Sequence, residues 1–182
     1  LTFRESLYNG VASDRINRQF RFCPHSDGMF NIGSLSYHIG EEDRHHGYYA
    51  VGYALGSSPS ETSADKTFNY ALWTLIEQPL LHVGESHLGA MWQGGTSPAS
   101  RSTCRHYWGA GLIWSNIPPR MTQVGLVVNR ALYADGRETD VELTGSFPVC
   151  NHFTLQPAVH CINTNGNYTA AAQLRAILEF GN

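Results

Sequence analysis

Apolar and polar positions alternate with a period of two along most of this chain, most cleanly between Arg137 and Phe180. Val141, Leu143, Gly145, Phe147 and Val149 share one parity, and Asp140, Glu142, Thr144 and Ser146 the other. Phe153, Leu155, Pro157, Val159 and Cys161 alternate with Thr154, Gln156, Ala158 and His160. Ala170, Ala172, Leu174, Ala176, Leu178 and Phe180 alternate with Gln173, Arg175 and Glu179. Successive side chains of a strand point to opposite faces, so this rhythm predicts strands with one apolar and one polar face. Each run is about ten residues long and spans ~30 Å at ~3.3 Å per residue. Globular strands average about 5–6 residues, whereas a tilted strand that crosses a bilayer needs about 9–11.

The same rhythm extends upstream. Ser6-Leu7-Tyr8-Asn9-Gly10 reads as a strand ending in an Asn-Gly turn, and Phe20 and Phe22 give a weaker strand signal. Met29 to Ile39 is a strand whose alternation slips. Phe30 and Ile32 share one face, then Leu35, Tyr37 and Ile39 take the other. A bulge near Gly33 would allow this, as would partial burial of both faces. Tyr49, Val51, Tyr53 and Leu55 alternate with the much smaller Ala50, Gly52, Ala54 and Gly56. Tyr70 to Leu81 is apolar on both parities, so a helix also fits its periodicity, but Pro79 favours a strand.

Leu88, Ala90 and Trp92 form the next apolar face. Trp108, Ala110, Leu112 and Trp114 follow, with a tryptophan near each end, as in the aromatic girdles of lipid-facing strands. Val124, Leu126 and Val128 continue the series. Residues 40–46, 56–67 and 94–105 read as polar loops, and Pro118-Pro119, Asp135-Gly136 and Asn151-His152 as turns. That makes about ten strand candidates from Arg18 onward and no persuasive helix. The expected organisation is a single β-barrel domain or barrel segment over residues 1–182.

The stretch ETDVELTGSFPVCNHFTLQPAVHCINTNGN, followed by AAAQLRAILEF, resembles the C-terminal end of the carbohydrate-selective porins, the OprB family. GMFNIGSLSYHIG, HHGYYAVGYALGS, YALWTLIEQPLL and YWGAGLIWSNIPPR also resemble successive strands of that family, in the same order. The resemblance spans about Tyr8 to Phe180. It implies an antiparallel up-and-down transmembrane β-barrel, or the C-terminal part of a roughly sixteen-stranded one. It further implies a bacterial outer-membrane location and passive, selective diffusion of carbohydrates. Sugars would be the transported solutes, outer-membrane lipid the surroundings, and no cofactor is implied. Leu1-Thr2-Phe3-Arg4 shows neither the basic nor the apolar region of a signal peptide. A porin must be exported, so the chain reads as processed or as a segment. The resemblance implies a segment whose N-terminal half is missing; a homo-oligomer is the other way to complete such a wall.

Composition agrees without deciding. The 182 residues are 42% hydrophobic, 12% aromatic and only 15% charged, against about 25% charged in a typical soluble protein. A net charge of −3 gives no reason to expect nucleic acid. No apolar run is long enough for a membrane-spanning helix. Cys23, Cys104, Cys150 and Cys161 lack CxxC spacing and read as isolated thiols. A bond between Cys150 and Cys161 is not expected, because the hairpin at Asn151-His152 would hold them apart.

Candidate chemistry is sparse. The nine histidines, including His25, His45-His46, His82 and His87, show no metal-ligand spacing, and no metal is expected. Glu138, Asp140 and Glu142 share one strand face, as paired glycosidase carboxylates could, but they equally make a plain polar face. No nucleophile-elbow, Walker or Rossmann pattern is present, so no catalytic residue is expected. Parity instead places Glu142, Gln156, His160, Gln173, Arg175 and Glu179 on the polar face, with Arg130 as a further candidate. These are the expected pore-lining, sugar-contacting residues. Two other classes fit the same text: a soluble β-sandwich carbohydrate-binding module, and a small non-conducting barrel with a structural role.

Overall fold

The computed structural model describes residues 1–9, 28–40, 47–59, 66–98, 102–119 and 121–179. Ten strands follow one another: β1 (Thr2–Asn9), β2 (Met29–Ile39), β3 (Gly47–Pro59), β4 (Lys66–Val83), β5 (Ser86–Thr96), β6 (Cys104–Ile117), β7 (Met121–Tyr133), β8 (Arg137–Cys150), β9 (Phe153–Thr164) and β10 (Asn167–Leu178). They form one sheet in sequence order, each strand antiparallel to the next. The fold is all-β and up-and-down, and no helix occurs among the described residues. The sheet is open: β1 and β10 are its edges, and no described residue pairs one with the other. Phe20, Phe22 and Phe180 lie outside the described residues.

Cross-strand partners share a face, so the register carries one apolar face through the whole sheet. Leu35 pairs with Val51, Trp92 with Ala110, Leu112 with Leu126, Leu126 with Leu143, Leu143 with Val159 and Val159 with Ala172. The opposite face carries Ala50, Gly109, Gly125, Glu142, Ala158 and His160. Exposure is the reverse of a globular protein's. Leu143 and Val159 are 54% and 56% exposed, while the buried hydrophobics are the small residues Ala50 (3%) and Ala158 (8%). In the middle strands, large side chains of the polar face such as Tyr107, Asn129, Glu142 and Gln156 are half-buried. A single sheet has no second layer to cover either side, so side chains of the polar face are sheltered by neighbouring strands of the same sheet.

The apolar runs on both parities now have a cause. Trp73 and Leu75 of β4 stand on the polar face opposite Gly52 and Ala50 of β3. The Trp73 ring occupies the space that a Cβ on Gly52 would need. The bare face of β3 is thus filled by bulky neighbours from β4. A helix would leave Ala50 and Gly52 uncovered.

The slip in β2 is not a bulge. β2 pairs with β3 without a register shift from Met29–Ser57 to Ile39–Gly47. Phe30 and Ile32 therefore stay on the polar face, where Phe30 meets Tyr8 at 6.2 Å between ring centroids. The register does shift at Pro79/Leu81, Cys104/His106 and Pro148/Cys150. Two of the three adjoin a proline, which has no N–H to give the ladder.

The expected loops are shorter than their polar composition suggests. β3 runs to Pro59, β5 to Thr96, and β4 and β6 begin at Lys66 and Cys104. Backbone pairing does not need apolar side chains, so the ladder continues into Ser- and Gly-rich sequence. Tight turns also join β7 to β8 and β8 to β9 in succession. These connections fall at Asp135-Gly136 and Asn151-His152, where the sequence predicts turns.

The close fit at Gly52 gives a test. Gly52→Val should displace Trp73 and destabilise the sheet by about 1–3 kcal/mol, the usual cost of overpacking. Chemical denaturation followed by tryptophan fluorescence reads both effects. Gly56→Ala, whose Cβ would meet only the Phe30 ring at ordinary contact distance, should change little.

Candidate functional site

The middle of the polar face is a built surface. Alternation puts Gln93 of β5, Tyr107 of β6, and Asn129 of β7 on it, and the ladder sets them side by side. Gln93 pairs with Gly109, and Gly109 with Asn129. Gln93 Nε2 donates to Tyr107 Oη at 2.6 Å, and Tyr107 Oη donates to Asn129 Oδ1 at 2.8 Å. Gly109 makes this possible, since a Cβ there would collide with both the Asn129 and the Gln93 side chains.

The next strands bring charge. Asn129 is opposite Asp140, and Glu142 is opposite His160. His160 Nδ1 and Asp140 Oδ2 lie 3.1 Å apart, with the two side chains only 20% and 22% exposed. Asp140, Glu142 and His160 each place one potential ligand atom within 4.8 Å of the others. Glu138 is taken up elsewhere, its Oε2 accepting from Thr164 Oγ1 at 3.1 Å. Further along, Gln123, Gly125, Thr144, Ser146 and Gln156 line a recess of about 200 Å³.

The sequence-derived candidates separate into three groups. Glu142, Gln156 and His160 are half-buried on this surface. Gln173 and Arg175 share the face but lie on the exposed edge strand, Arg175 opposite Gln156. Glu179 follows the end of β10, where its backbone N–H donates to the His152 carbonyl. Arg130 belongs to the other face. It is opposite Trp108 and Thr139, on the parity of Leu126 and Val128. The inward parity of β7 is held by Gln123, Gly125, Val127 and Asn129, so Arg130 is not grouped with the pore-lining candidates.

Gln93, Tyr107 and Asn129 were not singled out by the sequence. Each sits on the polar parity next to a recognised apolar position: Trp92, Trp108 and Val128. That parity was a usable signal, but their juxtaposition depends on register between strands. The tryptophans meet across strands on the apolar face, with Trp92 and Trp108 stacked at 6.0 Å and 12°. Trp114, toward the other end of β6, is 47% exposed. His82 and His87 face each other across the β4–β5 turn with stacked rings. Cys104, Cys150 and Cys161 carry free thiols. Cys23, His25 and His45-His46 lie outside the described residues.

Besides Arg130, the apolar face carries a polar cluster near edge β1. Glu5 accepts from Asn31 Nδ2 at 3.1 Å and from Tyr53 Oη at 3.4 Å.

Comparisons with family models, curated proteins and solved structures find no match for this chain.

The amide–phenol chain should be measurable in stability. Tyr107→Phe removes one donor and one acceptor and leaves Gln93 and Asn129 short of a partner. The expected loss is about 1–3 kcal/mol, read from a denaturant midpoint. Tyr133→Phe on β7, outside the network, should stay within about 0.5 kcal/mol.

Proposed function

We propose that this sheet is part of the wall of a bacterial outer-membrane β-barrel, a porin through which carbohydrates diffuse passively and selectively. The observation that carries the reading is the inverted exposure. One continuous face of leucine, valine, tyrosine and tryptophan is open along the sheet, and the polar face is sheltered. Water makes such an apolar face unfavourable, at about 25 cal/mol per Å²; hydrocarbon does not. Strands of 11–14 residues such as β2, β5, β6 and β8 reach across a bilayer with room to tilt. Trp108 and Trp114 are six positions apart, ~20 Å at ~3.3 Å per residue, close to the ~25 Å height of a lipid-facing band.

The carbohydrate part rests on the serial resemblance to the carbohydrate-selective porins and on the chemistry of the sheltered face. Gln93, Tyr107, Asn129, Glu142, Gln156 and His160 supply neutral and charged hydrogen-bonding groups for sugar hydroxyls. Weak contacts at several such places let a solute enter and leave. The open edges complete the argument. An unpaired backbone group costs several kcal/mol in lipid, so β1 and β10 must pair with each other, with additional chain or with a second copy. Gln173, Arg175 and Glu179 then stand at the seam on the β10 side.

Liposome swelling tests the transport reading. Reconstituted protein should admit mono- and oligosaccharides faster than amino acids of similar size. Equal rates, or a protein that is monodisperse without detergent, would overturn it. Substitution tests the faces. Leu112→Arg, Leu143→Arg or Leu174→Arg near the midplane should cost about 2–4 kcal/mol in lipid. The same change at Thr144 or Gln173 should be mild, and equal costs at Leu143 and Thr144 would refute the assignment.

A further inference from the structure

One group of side chains on the sheltered face is not required by the sheet. Asp140 and Glu142 stand two apart on β8, and His160 of β9 is opposite Glu142. His160 Nδ1 approaches Asp140 Oδ2 at 3.1 Å. The other oxygen, Asp140 Oδ1, is out of reach of solvent and has no hydrogen-bond partner. Among the described residues, no Lys or Arg pairs with either carboxylate, and Glu142 has no hydrogen-bonding partner. Two half-buried carboxylates therefore stand beside one imidazole that only Asp140 contacts, and Asp140 Oδ1 is left unsatisfied. A buried acceptor in that state is costly, the more so when charged. Native structures keep few such groups without a compensating ion or water.

We propose that Asp140, Glu142 and His160 form a binding site for a divalent first-row cation of the zinc type. The donor set decides the class: one imidazole nitrogen and two carboxylate oxygens suit zinc and its neighbours, whereas calcium and magnesium favour all-oxygen sites. Zinc holds such ligands at about 2.0–2.2 Å, which puts them ~3.5 Å apart around a tetrahedron. Ligand atoms already within 4.8 Å of one another reach that spacing by side-chain rotation, with the strands left in place. The cation satisfies Asp140 Oδ1 and offsets the carboxylate charge together. Three protein ligands leave one position for water or a solute hydroxyl. Asn129, opposite Asp140 and held by Tyr107, is placed to orient that fourth ligand. The site rests on strand register alone, so it stands or falls separately from the transport reading.

Calorimetry of metal-stripped protein with zinc chloride tests it. The expected uptake is about one zinc per chain in a three-ligand site, weakened at least ~10-fold by Asp140→Asn or His160→Asn. Glu138→Gln, two residues away on the same face, and His82→Asn should bind as wild type. Zinc-edge X-ray absorption on the wild-type protein does not depend on the variants' folding. It should show one imidazole and oxygen neighbours, and a zinc–sulfur shell would place the metal on the cysteines instead. No uptake at micromolar free zinc would reduce the cluster to a His160–Asp140 ion pair. Undiminished uptake in both variants would also overturn the site.

Discussion

The antiparallel hydrogen-bond ladder is the framework on which everything else in this protein depends. Nine consecutive pairings join ten strands, and no second layer packs on either side among the described residues. In a two-layer protein, register is reinforced by a core that rejects a slipped strand. Here the side chains that interlock do so between neighbouring strands: Trp73 over Gly52, and Asn129 and Gln93 over Gly109. A one-residue slip would move every side chain of a strand to the opposite face. It would place Leu143 among Asn129 and His160, and Glu142 among Leu126 and Val159. The division of the sheet into two chemically different faces is thus a property of register before it is a property of any residue.

On the sheltered face the buried residues are small, and on the apolar face large side chains stand exposed. Ala50, Gly109, Gly125 and Ala158 are buried on the polar side, where Asn129 and Gln93 crowd Gly109 and the Trp73 ring covers Gly52. The apolar face carries long apolar side chains, interrupted among other places by Arg130 and by the Glu5–Asn31–Tyr53 cluster near β1. That arrangement suits hydrocarbon outside and polar solutes inside. It also explains why composition looked ordinary: the same 42% hydrophobic content would build a core if it faced inward. The open edges follow from the ladder too, since an up-and-down sheet leaves its first and last strands unpaired unless it closes or recruits more strand.

The two halves of the polar face differ in how far they could be read in advance. Glu142, Gln156 and His160 announced themselves through clean alternation in β8 and β9, and the structure keeps them on one surface. Arg130 keeps the parity of Val124, Leu126 and Val128, and its pairing with Trp108 and Thr139 puts it on the apolar face despite its charge. The slip in β2 was open to two readings because alternation records which residues are apolar and not which face they occupy. Unbroken pairing with β3 chose between them. Tyr70 to Leu81 was ambiguous for the opposite reason: both of its faces meet demand, one from the open apolar side and one from the small residues of β3.

The sequence by itself determined the fold class, nearly every strand and the chemical character of each face, because a period of two is a local property. It also exposed the acidic face of β8 and the tryptophans of β6. Only the tertiary structure decided which strands are neighbours and in what register. With that came the Gln93–Tyr107–Asn129 chain and the meeting of Asp140, Glu142 and His160. Gln93, Tyr107 and Asn129, and likewise His160 and the β8 carboxylates, come from different strands, and only the offset set by each turn brings them together. An offset of one residue between β5 and β6 or β6 and β7 would keep every strand and lose the first cluster, and one between β8 and β9 would lose the second.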